Sequence, residues 1–179
     1  RRAGTVHVGG TFAEIAHAVL TVHRGQAAER PFVLVAQQYL ADPKRSVGNV
    51  HPVWAYAHVP AGYTGNATEA ILAQIERFAP GTRERIVGQH VTTATALETY
   101  NPNNVGGDIA NGANSVRQLI ARPRWGTNPY DTGMPGVYLC SAATPPGGGV
   151  HGMCGYHAAR AALAHLGLPA PPLGMGRTS

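Results

Sequence analysis

A glycine-rich turn near the end of the chain contains the residue types from which anion-binding sites are built. Its six residues match G-x-G-x-x-G between a predicted strand and a predicted helix: Gly147, Gly148, Gly149, Val150, His151 and Gly152. Glycines let a ligand approach the backbone, and the first turn of a helix offers free N–H groups at the positive end of its dipole. The turn therefore predicts a site for an anionic or electron-rich ligand, with a purely structural tight turn as the alternative.

The complete dinucleotide fingerprint requires more than this turn. It needs a whole βαβ unit with an acidic residue about 20 positions further on, which binds the ribose. No Asp or Glu follows Asp131 in this sequence. We therefore expect only the local anion-binding chemistry of the turn. His151 lies in the turn, where a ligand would bind, and is a candidate contact. The alternative is a structural hydrogen-bond partner, which is the more common role of a single histidine.

The histidines and cysteines do not have the spacing of metal ligands. The sequence has nine histidines, and the candidate pairs fall on different faces of their predicted elements: His17 with His23, His51 with His58, and His151 with His157. Cys140 and Cys154 form no C-x-x-C pair, so neither a zinc ribbon nor a disulfide framework is predicted. We expect no metal site and a reducing compartment.

Composition excludes several classes of protein. With 179 residues, 44% of them hydrophobic, the chain is one ordinary globular domain or a large piece of a bigger protein, and it is neither disordered nor fibrous. The net charge is +5, but the basic residues are scattered, so we expect no nucleic-acid binding. Apolar runs fall short of the ~18–20 residues of a transmembrane helix. A cytoplasmic location is predicted, with peripheral membrane attachment left open.

The elements that must position the turn are predicted from periodicity and caps. We expect strands over 4–8, 32–39 and 53–59, with antiparallel pairing of the last two, and a helix that starts at a capping box of Thr11 and Glu14. The strand at 53–59 places Trp54, Tyr56 and His58 on one face. These side chains are candidates for the wall of an apolar substrate cavity, and packing against a helix is the alternative interpretation.

The remaining predictions complete the order of elements. They are helices over 68–79, 93–100 and 152–166, strands over 85–91 and 136–142, and a polar, glycine-rich loop over 101–112. A loop of that length is usually functional.

Residues 135–160 resemble the C-terminal flavin-binding signature of phytoene-dehydrogenase-related oxidoreductases, a branch near the flavin-containing amine oxidases. Matching blocks lie upstream at 30–32, 54–56, 73–80 and 100–108, so the resemblance extends to about residue 166. It implies an α+β fold, in which an antiparallel-sheet substrate domain with flanking helices is joined to the last strand and helix of a Rossmann-type FAD-binding domain. It assigns 1–133 to the substrate domain, 134–168 to the FAD-binding segment and 169–179 to a flexible tail.

The resemblance also implies the cofactor and its contacts. FAD would lie with its isoalloxazine and ribityl parts beside the turn, and the expected cofactor-binding residues are Ser141, Thr144, Gly147, Gly148, Gly149, Val150, His151, Gly152 and Met153. The Rossmann half that binds the ADP part is absent from these residues, so we expect that half as a partner, together with an apolar small-molecule substrate. A homo-oligomer stays open.

The function implied is hydride transfer from an apolar organic substrate to the flavin, of a desaturase or dehydrogenase kind, with the isolated chain inactive. No catalytic acid or base is assigned. Two alternatives remain: a non-catalytic module that keeps the fold for partner binding or scaffolding, and a relative such as the mitochondrial pyridine-nucleotide-disulphide oxidoreductase-domain proteins. The latter share the signature without sharing carotenoid chemistry.

Overall fold

A computed structural model describes residues 3–112, 116, 118 and 122–170 of the chain. Two compact units make up the chain, one ending at Gly107 and the other beginning at Asp108. The predicted boundary after residue 133 concerns the domains of a longer enzyme and stays a prediction, as does the predicted tail.

The first unit is built on a three-stranded antiparallel sheet. Its strands are β1 (Thr5–Val8), β2 (Val33–Ala36) and β3 (Trp54–Ala57), in the order β1-β2-β3. Leu34 pairs with His7 on one side and with Tyr56 on the other. The predicted antiparallel pairing of the second and third strands is confirmed. All three strands have four residues and are shorter than predicted.

Helices with described bounds occur in both units. They are α1 (Phe12–His23), α2 (Thr68–Phe78) and α3 (Ala94–Tyr100) in the first unit and α4 (Met153–His165) in the second. The α+β class is thereby confirmed. No helix in the described ranges is long and apolar enough to cross a membrane.

One face of the sheet is covered and the other is open. Val33 and Val35 are buried, whereas their neighbours on β2 are only half-buried. Helix α2 contacts all three strands, and an ion pair between Arg77 Nη1 and Glu14 Oε1, 2.8 Å long, joins it to α1. Helix α2 therefore covers the valine face, and side chains in register with Leu34 lie on the opposite face.

Local hydrogen bonds define where the helices start and end. At α1 the Thr11 N–H donates to Glu14 Oε2 at 2.8 Å and the Glu14 N–H donates to Thr11 Oγ1 at 3.3 Å, which confirms the capping box. Glu76, in the last turn of α2, binds the segment that follows the helix: its carboxylate accepts from the backbone N–H groups of Arg83 and Gly81 at 2.9 and 2.5 Å. These bonds, that from Arg83 first, lower the pKa of Glu76.

Two predicted strands do not form. Residues 85–91 follow a 3₁₀ turn at Arg83–Arg85 and have no strand structure. Within 136–142 only Tyr138 pairs, in an isolated bridge with Asp131. The chain there folds back on the segment just before it, where the Leu139 N–H donates to Tyr130 O at 2.7 Å. The last strand of a Rossmann domain is therefore not formed among the described residues, while the helix that follows it is.

Candidate functional site

The glycine-rich turn is supported from below by a compact loop. Thr144 is fully buried, and its N–H and Oγ1–H both donate to the Ser141 carbonyl, at 2.9 and 2.8 Å. Ser141 Oγ accepts from the Ala143 N–H at 3.1 Å, and Thr144 O accepts from the Gly147 N–H at 2.8 Å. The Thr144 hydroxyl thus holds the loop together, and the direct cofactor contacts predicted for Ser141 and Thr144 stay predictions.

The turn itself is open to solvent. Residues 148–152 are exposed, with Val150 exposed completely, while Gly147 is buried. Gly147 has φ +100° and Gly152 has φ +63°, a left-handed conformation that favours glycine and explains its use at both ends of the turn. No side chain crowds the backbone at Gly148, because a Cβ there would only reach ordinary contact with Ala142.

A groove of about 260 Å³ runs along the turn. Its lining combines predicted site residues with both cysteines: Cys140, Ser141, Ala142, Gly147, Gly148, Gly149, His151, Gly152, Cys154 and Gly155. The structure therefore brings together six of the predicted residues, whereas Thr144, Val150 and Met153 lie outside this lining.

Helix α4 presents its N-terminus beside this groove. Gly152 is the N-cap residue and offers no side-chain acceptor. His151 takes over that task in part, because its Nδ1 accepts from the Met153 N–H at 3.0 Å. The N–H groups of Cys154 and Gly155 find no acceptor within the described part of the chain. Two backbone donors at the positive end of the helix dipole thus remain open to a ligand.

The thiol of Cys154 ties α4 to the supporting loop. Its Sγ–H donates to the carbonyls of Gly147 and Thr144 at 3.3 and 3.4 Å. Tyr130 adds a second tie, since its hydroxyl donates to Pro145 O at 3.0 Å. Burial raises the pKa of Tyr130, with a smaller contribution from Cys154, so the phenol stays protonated as a donor. Sequence reasoning gave neither residue a role.

Arg122 is a buried cation behind the same loop. It is only 6% exposed. Its Nη1 donates to Ala142 O at 3.5 Å and its Nη2 donates to Gly112 O at 3.4 Å. Sequence analysis counted Arg122 only among the scattered basic residues, because nothing in the pair of Arg122 and Arg124 marks one of them as buried.

The residues present fit a flavin. A flat ring needs an edge of backbone without side chains, which Gly148 supplies, since a Cβ there would only reach ordinary contact with Ala142. Its electron-rich N1/C2=O edge needs hydrogen-bond donors, which the open N–H groups at the start of α4 supply. The fit rests on this pairing of the open backbone at Gly148 with unused donors.

The aromatic stripe on β3 lies on the open face of the sheet. The rings of Trp54 and Tyr56 are 5.1 Å apart between centroids, and those of Tyr56 and His58 are 5.8 Å apart, which confirms that the three share one face. His7, across the sheet, stacks on Phe32 at 5.3 Å. Trp54 is 52% exposed, so helix packing does not explain this surface.

Metal ligands are not grouped in the described residues. No set of three or more His, Cys, Asp and Glu side chains there is placed to hold a metal ion.

Comparison with known proteins gives partial similarities. The chain is 40% identical over 86 residues to the rat (Rattus norvegicus) pyridine nucleotide-disulfide oxidoreductase domain-containing protein 2. The aligned residues make up 48% of this chain and 15% of the relative. It is 37% identical over 93 residues to the mouse (Mus musculus) protein of the same name. That alignment covers 51% of this chain and 16% of the relative.

The matched part thus spans less than a fifth of these curated relatives. No protein-family model matches the chain, and no solved structure matches it. The similarities relate the chain to proteins named for an oxidoreductase domain, and they do not point to phytoene dehydrogenases specifically.

Proposed function

We propose that this chain is the C-terminal part of an FAD-dependent oxidoreductase that transfers hydride from an apolar organic substrate to the flavin. One observation carries the proposal: the exposed backbone at 148–152 leads directly to the start of α4, where the N–H groups of Cys154 and Gly155 have no acceptor in the described residues. The partial similarity to proteins named for a pyridine nucleotide-disulfide oxidoreductase domain supports the same class of reaction.

Each part of the site has a task in this proposal. Bound FAD would supply a hydride acceptor at flavin N5, so no protein nucleophile is required. The backbone at Gly148 leaves room for the ring edge, and the N–H groups of Cys154 and Gly155 would stabilise negative charge that develops there. Thr144 and the Cys154 thiol keep these donors in place, because both bond within the supporting loop.

The substrate side is proposed from the open sheet face. Trp54, Tyr56 and His58 form a continuous aromatic surface that would make one wall of an apolar cavity. No acid or base is assigned: dehydrogenation of an apolar substrate passes a hydride to the flavin and releases a proton from the neighbouring atom, and water would accept that proton in this proposal. The ADP part of FAD requires a Rossmann half, which is the proposed partner.

The proposed site is compatible with a broader range of substrates than carotenoids. The relatives found carry an oxidoreductase-domain name with no carotenoid term, so we favour a dehydrogenase of that kind over a phytoene desaturase.

A visible absorption spectrum tests the proposal. The chain is purified alone and after co-expression with the coding region immediately upstream of it. We expect flavin bands only in the co-expressed sample, because the ADP site lies in the other half. Tight flavin binding by the chain alone would contradict the partner assignment. Absence of flavin from both samples would contradict the cofactor and favour a non-catalytic module that keeps the fold.

A further inference from the structure

We propose that Arg122 is a positioning residue that holds a fixed positive charge behind the flavin-facing turn and thereby makes the bound flavin easier to reduce. This inference rests on the proposed function. It adds an electrostatic role for a residue outside the turn and outside α4.

The guanidinium of Arg122 lies on the side of Gly147 where a side chain would project. A Cβ built on Gly147 would lie 3.6 Å from Nη1, and one built on Gly112 would lie 3.8 Å from Nη2. Arg122 donates to the carbonyls of Ala142 and Gly112. The charged group therefore lies between these two segments, with Gly147, the first residue of the turn, as its neighbour.

Burial makes this charge effective at a distance. A guanidinium stays protonated in proteins, so Arg122 carries its charge at any pH of interest. Arg122 is 6% exposed, so little water screens its charge. In this buried position the interaction with a second charge weakens less over a few ångströms than it would at the protein surface. Reduction adds negative charge to a flavin, so a nearby fixed cation favours the reduced form. The dipole of α4 acts in the same direction.

A purely structural role is the competing explanation. Arg122 donates to two carbonyls from segments that are 10 and 20 residues away in sequence, so it also joins the Gly112 and Ala142 segments. Lysine separates the two roles. It keeps the positive charge but lacks the planar fork that reaches both carbonyls, whereas methionine removes charge and fork together.

The test uses the flavoprotein formed by the chain with its upstream half. Flavin content is measured first, and the two-electron midpoint potential is then measured by equilibration with a reference dye. For Arg122→Met we expect the equilibrium constant for reduction to fall about tenfold, which corresponds to a potential lower by about 30 mV. For Arg122→Lys we expect a change of less than about threefold, within about 15 mV on the same conversion.

Arg124→Met is the matched control. Arg124 is exposed and its Nη1 donates to Asp131 O at 3.0 Å, so the same charge is removed from a solvated position. We expect its potential to stay at the wild-type value, because solvent screens the charge.

The outcomes separate the inference from the proposed function. An unchanged potential in flavin-loaded Arg122→Met overturns the inference and leaves the proposed function standing. A tenfold fall in the equilibrium constant for reduction of the flavin in Arg122→Lys also overturns the inference. The lysine variant gives the deciding measurement if the methionine variant does not fold. A wild-type protein without flavin overturns the proposed function and the inference with it.

Discussion

Replacement of Gly149 by alanine tests how the turn and helix α4 are coupled. A Cβ at residue 149 would lie 2.7 Å from Cδ2 and 2.9 Å from Nε2 of His151, which is closer than real Cβ atoms approach. The imidazole must therefore move. Because its Nδ1 accepts the Met153 N–H at 3.0 Å, this movement breaks the bond that caps α4.

The expected magnitude follows from two opposing effects. Loss of a side-chain cap costs about 1 kcal/mol. Gly→Ala also stabilises by about 0.7 kcal/mol where the backbone suits an L-residue, because the unfolded chain loses freedom. Gly149 has no left-handed φ, so this second effect applies. Gly149→Ala should therefore destabilise the chain by only about 0.3 kcal/mol.

A double-mutant cycle separates these effects. His151→Ala removes the cap and should cost about 1 kcal/mol by itself. In that background Gly149→Ala has no imidazole to displace, so it should stabilise the protein by about 0.7 kcal/mol. The coupling free energy between residues 149 and 151 is then about 1 kcal/mol in size.

Urea unfolding of the chain supplies the measurement. The sequence has two tryptophans, so a Trp54→Phe background leaves Trp125 fluorescence as a probe of the second unit. Gly155→Ala is the control: Gly155 is inside α4 with nothing near its Cβ position, and alanine there should stabilise in both backgrounds alike. Additive effects of Gly149→Ala and His151→Ala, within about 0.3 kcal/mol, would refute the reasoning.

Two further predictions concern the flavin and the acid stability of the first unit. In the co-expressed flavoprotein, Gly149→Phe should reduce flavin content severely because the phenyl ring blocks the groove. Gly88→Phe is the control: Gly88 lies outside the groove with nothing near its Cβ position, so its flavin content should stay at the wild-type value, and equal content in both variants contradicts the site. A hydrogen bond from Arg77, then the Thr11 N–H, lowers the pKa of Glu14 from 4.5 to about 2. Its contribution to stability is complete above pH 4.5 and is lost as the pH falls to about 2. Glu14→Gln should flatten the dependence of the free energy of unfolding on pH between about 2 and 4.5, measured by urea unfolding, and exposed Glu84→Gln should not. The same pH dependence in both variants would show that Glu14 does not cause the loss of stability in acid.

Local patterns predicted the helices well and the strands unevenly. The caps at Thr11 and Thr93 are formed by residues within three positions of each other, so sequence is sufficient to place α1 and α3. A strand requires a partner from elsewhere in the chain. Residues 136–142 have the apolar composition of a strand, yet their described pairing is a single bridge with the neighbouring Asp131 segment.

The sequence by itself determined the chemistry of the turn and its place before a helix. Glycine at 147 and 152 is required by positive φ, and a helix start carries its donors wherever it lies. Only the tertiary structure decided that the β3 aromatic stripe is open and that Arg122 is buried beside Gly147. The physical reason is that turns and caps depend on neighbouring residues, whereas burial of a charge or exposure of a sheet face depends on segments distant in sequence.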